Sequence, residues 1–161
     1  MADLISPEHT RAVGALVVAV SQIETRITDL MAGFMKTDIV TALIAVHHQQ
    51  LSNRIDTLLA LMHVPFKGEA EFNAVIAPVK LAKSVVEFRN TIVHCHWVPQ
   101  KDGPPMAVRF SARGEFVRTR RPVDPKEILA RADEANEIAA TLAELSKAFP
   151  AKPIEVPPKE E

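Results

Sequence analysis

The amino-acid sequence predicts an all-α protein, a bundle of three to four long helices with a small β-hairpin before the last one. Three observations carry this. Apolar residues recur every three to four positions along most of the chain, the spacing that gathers them on one face of a helix. Glycine occurs only 5 times in 161 residues and tyrosine not at all, against many Ala, Leu and Glu, which favours helix over turn-rich sheet. Strand-like runs occur only at about 106–119. A helix with one apolar stripe cannot bury it alone, so the stripes are expected to pack together as one domain over residues 1–149.

Each element has its own signals. Ser6 is a good N-cap, Pro7 suits the first helical position, and Glu8 suits the positive end of the helix dipole. Leu16, Val20, Ile23, Ile27, Leu30 and Phe34 then carry the first helix to about Met35. Thr37 is the expected cap of a second helix with Asp38 in its first turn. Its stripe is Val40, Leu43, Ile44, Leu51, Ile55, Leu58 and Met62, and His63-Val64-Pro65 ends it. Residues 66–76 read as a loop leading into a short helical piece. Pro78 either starts or kinks the third long helix, whose stripe is Leu81, Val85, Phe88, Ile92 and Cys95. That helix is expected to reach about Trp97, before Pro99 and Asp102-Gly103-Pro104-Pro105 stop it.

Met106–Phe110 and Glu115–Thr119 read as a hairpin, with Gly114 at a positive-φ position. Asp124-Pro125-Lys126-Glu127 is a helix start. Ile128, Ala132, Ala135, Ala139, Leu142 and Leu145 carry the last helix to about Phe149. The tail 150–161 holds four of the 12 prolines and is expected to be extended or disordered.

Composition excludes several function classes. Lys and Arg total 19 against 20 Asp and Glu, so a globally basic nucleic-acid coat is excluded while a local basic patch is not. The single cysteine, Cys95, can form neither an internal disulfide nor a Cys-rich zinc site, and a reducing compartment fits. The most apolar run, Ala15–Val20, is too short to span a bilayer, and no export signal is visible at the N-terminus, so a cytoplasmic location without a membrane partner is expected. No phosphate-binding loop, dinucleotide fingerprint, G-x-S-x-G or H-E-x-x-H occurs, and no cofactor is expected.

Polar residues on apolar stripes give the functional lead. At 100° per residue, Glu24 falls on the shoulder of the first helix's stripe, and His47 and Arg54 fall on the stripe of a continuous second helix. Arg89 lies between Val85 and Val93 on the third, where Asn90 and His94 are neighbours one turn apart. A buried charge costs several kcal/mol unless paired, so Glu24 is the expected partner of Arg89 or Arg54.

The segment Glu87-Phe88-Arg89-Asn90-Thr91-Ile92-Val93-His94 resembles the HEPN superfamily, marked by an Arg, a polar residue, and a His four to six positions later. The match is Arg89, Asn90 and His94, and the following His96-Trp97 and hairpin are similar to small bacterial members. The resemblance covers about residues 10–148 as a helix pattern. It implies a helical bundle that dimerises around a shared cleft. It also implies a metal-independent endoribonuclease or RNA-binding protein, in a toxin or phage-defence setting that would bring an antitoxin protein as partner. His94 would then act as general base or acid, Arg89 would stabilise the scissile phosphate, and Asn90 would orient the histidine or a phosphate oxygen.

Other signals have plainer readings beside functional ones. His94, Cys95 and His96 point in different directions and do not converge on a metal. Arg109, Arg113, Arg118, Arg120 and Arg121 stand against one acid, Glu115, in the hairpin. They could contact RNA, or they could pair with Asp133, Glu134 and Glu137 of the last helix, and the near absence of stacking aromatics favours the pairing. Phe110 and Phe116 are expected to anchor the hairpin to the bundle. Trp97 is expected to pack at the helix end or a dimer interface, and His9 and His63 to be ordinary surface or helix-end residues. Ala15, Val18 and Ala19 spill beyond the first helix's stripe and suggest a second buried face, hence a homodimer.

Two functional classes therefore stand, with a small-molecule or nucleotide-binding bundle as a third. Catalysis predicts Asn90 and His94 open to a cleft at a dimer axis. A non-catalytic dimerisation or interaction module, with Glu24, Arg54 and Arg89 holding the bundle or dimer together, predicts Asn90 and His94 buried with every donor and acceptor satisfied.

Overall fold

Ser6 begins α1 (Pro7–Phe34), its hydroxyl accepting from the His9 N–H. Asp38, not Thr37, caps α2 (Ile39–Val46), accepting from the Val40 and Thr41 amides. The Thr41 hydroxyl also donates to Asp38 and holds its carboxyl below the usual range. Next come α3 (Leu51–Met62), α4 (Glu69–Val93), strands β1 (His96–Val98), β2 (Met106–Ser111) and β3 (Val117–Pro122), and α5 (Pro125–Ala148). The computed structural model describes residues 5–64, 69–111 and 117–154. The chain is mostly helical with one small antiparallel sheet, and none of the described helices is long and apolar enough to cross a membrane.

The helices α1 and α5 run side by side in the same direction. At one end His9 meets the Val123 carbonyl just before α5. At the other, the Phe34 and Phe149 rings stack at 4.5 Å. Between those ends Leu16, Ile23, Ile27 and Leu30 of α1 and Ile128, Ala135 and Leu142 of α5 are fully or almost fully buried. Burial of each large aliphatic side chain contributes about 1.5–3 kcal/mol. Lys83 of α4 binds Asp56 of α3 at 2.6 Å, tying the other side of the bundle.

Several expectations need correction. The continuous second helix is two helices. It breaks over residues 47–50, where Gln50 turns extended at φ −65°, ψ 151°. No Gly or Pro marks the break. Its consequence is a change of phase: α2 buries Ala42 and Val46, while Val40, Leu43 and Ile44 of the expected stripe are exposed. Pro78 lies inside α4, which already begins at Glu69. The same helix stops at Val93, so Trp97 belongs to a third strand that the sequence reading assigned to helix. Residues 112–116, with Arg113, Gly114 and Phe116, lie outside the described residues.

His9 is not a surface residue. It is buried, with Nδ1 2.8 Å from Ser6 Oγ and Nε2 3.0 Å from the Val123 carbonyl, and its ring meets Trp97 edge-on. A carbonyl only accepts, so Nε2 carries a proton and donates to it. Ala19 belongs to the core, and only Val18 of the presumed second face is well exposed. Residues 150–154 of the tail form neither helix nor strand, the Lys152 N–H donates to the Thr37 carbonyl at 2.9 Å, and residues 155–161 lie outside the described residues.

The sheet order is β1-β2-β3, antiparallel throughout. Trp97, Ala107 and Arg121 pair across it on the side facing the helices. Trp97 and Ala107 join the core there, and Arg121 reaches the Phe88 ring of α4.

Gly33 gives a sharp packing test. A Cβ at this position would sit 1.9 Å from the Phe149 carbonyl oxygen, a backbone atom that cannot swing aside. Gly33→Ala is expected to lose about 1–3 kcal/mol in urea unfolding. Gly14→Ala, with nothing within 4 Å, is expected to be neutral or to gain about 0.5–1 kcal/mol. Equal stability of the two variants would contradict the α1–α5 packing.

Candidate functional site

Four segments meet beside the last turns of α4. Glu24 comes from α1, Gln49 and Gln50 from the break before α3, and Leu51 from the start of α3. Arg89, Asn90 and His94 come from the end of α4, and Arg109 from β2. Together they line an open cleft of about 390 Å³. Asn90 and His94, four positions apart, lie on the same side of the helix end, and Arg89 joins them by turning its Nη1 onto Asn90 Oδ1. The His94 amide still bonds to the Asn90 carbonyl at 3.1 Å, so the histidine continues the helical turn although it lies past the last helical residue.

Glu24 chooses between the two arginines. Arg54 Nη1 donates to Glu24 Oε1 at 2.9 Å, and Arg54 Nε donates to the Gln49 carbonyl at 3.1 Å. The Arg54 side chain is 11% exposed and the Glu24 side chain 39%. The helix break therefore has a use: it frees the Gln49 carbonyl, and Arg54 takes it.

Arg89 is left without a carboxylate among the described residues. Its Nη1 donates to Asn90 Oδ1 at 2.9 Å, and its Nε is buried with no hydrogen-bond partner among protein atoms. An unsatisfied buried donor costs about 1–3 kcal/mol. With Glu24 committed to Arg54, Arg89 and Arg109 leave the cleft positive. Arg109 is exposed, with Nη1 3.5 Å from the Thr91 hydroxyl. His94 is exposed to the cleft and Asn90 half-buried.

His47, expected within this network, lies outside it. The break turns it out to solvent as the C-cap of α2, where its ring lies 3.5 Å from that of His48. The angular position given by a continuous helix does not survive the change of phase.

The hairpin arginines divide. Arg109 lines the cleft. Arg121 pairs with Glu127 in the first turn of α5, and its guanidinium lies 5.4 Å from the centre of the Phe88 ring. Arg131 lies 5.5 Å from the same ring and pairs with Glu134 at 2.6 Å, so Glu134 is not a hairpin partner. Arg118 and Arg120 are exposed on the sheet. A second groove of about 620 Å³ shares Gln50, Asn90 and Arg109 with the cleft and extends to Arg121 and Arg131.

The cysteine and its flanking histidines diverge. His94 lines the cleft. Cys95 packs against the core and donates its S–H to the Ile92 carbonyl at 3.1 Å, and burial pushes its thiol pKa up. His96 lies on the far face of the sheet, edge-on to Phe110 at 5.4 Å. Phe110 is 46% exposed there and does not anchor the hairpin to the bundle.

Sequence reasoning missed Gln49, Gln50 and Leu51 of the cleft, and Arg131 of the adjoining groove. The first three owe their position to a break with no breaker residue. Arg131 sits on a helix face that reads as ordinary solvated surface.

No protein family, curated protein or solved structure matches the chain. The functional reading therefore stands on the cleft's own chemistry.

A structural arginine and a ligand-facing one respond differently to removal of charge. Arg54→Met is expected to lower unfolding stability by about 1–3 kcal/mol, because Glu24 and the Gln49 carbonyl lose their donor. Arg89→Met keeps the aliphatic stem and removes an unsatisfied donor, so it is expected to cost less than about 1 kcal/mol. Urea denaturation of both variants checks this. A loss at Arg89 equal to that at Arg54 would make Arg89 a structural residue.

Proposed function

We propose that the cleft binds a phosphodiester of RNA and cleaves it as a metal-independent endoribonuclease. The observation that carries this reading is the pairing of Glu24 with Arg54. It leaves the Arg89 guanidinium without a carboxylate, in one cleft with Asn90, His94 and Arg109. A positive cleft open to solvent suits an anionic ligand, and two guanidiniums suit phosphate oxygens.

The chemistry follows from the groups present. Histidine is the side chain that ordinarily both accepts and donates a proton near neutral pH. His94 takes the proton of the 2′-hydroxyl, and the 2′-oxygen attacks the adjacent phosphorus. The bond to the 5′-oxygen breaks, leaving a 2′,3′-cyclic phosphate and a 5′-hydroxyl, whose proton comes from water. Arg89 stabilises the extra negative charge on the phosphorane oxygens. Asn90, hydrogen-bonded to Arg89, fixes the direction of the guanidinium. Cys95, half-buried and with its thiol pKa raised, takes no part.

A second reading is favoured by a separate observation. Val40, Leu43 and Ile44 of α2 are 46%, 44% and 68% exposed, an apolar row beside the helix break. A second copy of the chain packed on this row would make the protein a homodimer. The same surface would serve a non-catalytic interaction module. Ile44→Glu would then give a monomer in light scattering with its fold unchanged.

Purified protein incubated with mixed RNA in EDTA tests the ribonuclease reading. Products ending in 2′,3′-cyclic phosphate are expected. His94→Ala, checked for folding by circular dichroism, is expected to lose at least about 100-fold in rate. Arg89→Ala is expected to lose about 100- to 1000-fold. Cleavage that survives unchanged in folded His94→Ala protein would contradict the assignment.

A further inference from the structure

The outer face of the sheet carries chemistry that the cleft does not use. In an antiparallel sheet, directly paired residues share a face. Pairing of Phe110 with Arg118, and of Val108 with both His96 and Arg120, gathers these residues on the side away from the helices. Phe110 stands on the central strand and is 46% exposed. The His96 ring meets it edge-on at 5.4 Å, while Arg118 lies directly across on β3. Val108 between them is buried and lies outside the main core cluster. No carboxylate stands on this face among the described strand residues.

A lone exposed phenylalanine is ordinary protein surface. This one is set apart by its surroundings: a second ring beside it, guanidiniums on the neighbouring strand and no acid among the described strand residues of this face. Unpaired bases are bound by such surfaces, through stacking on Phe or His rings or on arginine planes, with cations tracking the backbone. A duplex offers no free base faces to them.

The face also adjoins the cleft. His94 lines the cleft and His96 lies on the outer face, two residues on. Arg109 lines the cleft, and Phe110, the next residue, points to the opposite side of the same strand. β1 pairs only with residues 106–108 of β2, so the edge of the sheet at Arg109 and Phe110 is the route by which a strand would pass from the cleft to the outer face.

We propose that the outer face of β1-β2-β3 is a stacking platform for single-stranded RNA, with Phe110 as the base-stacking residue and Arg118 and Arg120 as backbone contacts. The proposal rests on the cleft reading for one point only, that the stacked strand is the one cut. It makes the substrate class unpaired RNA, held by a base next to the scissile phosphodiester.

The test is fluorescence anisotropy of a labelled, unstructured RNA of about 12 nucleotides, in EDTA and in the His94→Ala background that stops cleavage. The same sequence as a duplex is the comparison. Phe110→Leu keeps an apolar side chain and removes the ring; at least about a five-fold weaker affinity is expected. Phe110→Tyr is expected to bind like the parent. Replacing Arg118 and Arg120 by Ala is expected to flatten the salt dependence of binding. All variants are checked by thermal unfolding, which an exposed side chain should not move far. Three results would overturn the platform: no binding of single-stranded RNA, equal affinity for duplex and single strand, or unchanged affinity in Phe110→Leu. Cleavage by the wild type reports on the other reading independently. Ring-dependent binding without cleavage would retain the platform and discard the ribonuclease. Cleavage with ring-independent binding would do the reverse.

Discussion

Glu24 gives its carboxylate to Arg54 across 2.9 Å, and the character of the cleft follows from that pairing. Arg54 also donates its Nε–H to the Gln49 carbonyl, so one side chain joins α1 to α3 and satisfies that carbonyl at the helix break. A charge that is 11% exposed needs this many partners. Arg89 stands nearby on α4 and receives none of that carboxylate. What remains for it is the amide oxygen of Asn90, a neutral acceptor that orients a guanidinium without cancelling its charge. The fold thereby keeps a cation in the cleft wall with no carboxylate partner among the described residues.

The rest of the bundle holds these groups at their distances. Helices α1 and α5 run parallel, closed at one end by His9 on the Val123 carbonyl and at the other by Phe149 over Gly33 and Phe34. Because α5 starts where β3 ends, the same contact fixes the sheet on the bundle. Trp97 and Ala107 then bury one face of the sheet and put Arg109 into the cleft. The opposite face is left with an aromatic and cationic surface. Strand alternation alone separates the two, since Arg109 and Phe110 are neighbours in the chain and point to opposite sides.

The helices were readable because their caps and stripes are local. Ser6-Pro7-Glu8 and Asp124-Pro125 start α1 and α5 where the sequence says, and Leu16, Ile23 and Ile27 are buried as their spacing requires. Arg89, Asn90 and His94 were readable for the same reason, as one helix end fixes their relation. The break at 47–50 was not, because no Gly or Pro marks it and the group that meets its freed carbonyl, Arg54, lies beyond it in the next helix. Everything that depends on it was lost with it: the solvent position of His47, the exposed row on α2, and Gln49 and Gln50 in the cleft. The choice of Arg54 over Arg89 was likewise open in the sequence, since both lie on stripes that could face Glu24. His9 was misplaced because its two acceptor and donor partners lie 3 and 114 residues away, and only the first is local.

The central claim is that Glu24 is coupled to Arg54 and not to Arg89. Double-mutant cycles on unfolding stability test it most directly, with Glu24→Gln combined in turn with Arg54→Met and with Arg89→Met. A coupling of at least about 1 kcal/mol is expected for the first pair and less than about 0.5 kcal/mol for the second. A Glu24–Arg89 coupling as large as that of Glu24–Arg54 would contradict it, because the cleft cation would then be neutralised and the cluster would be a structural ion network.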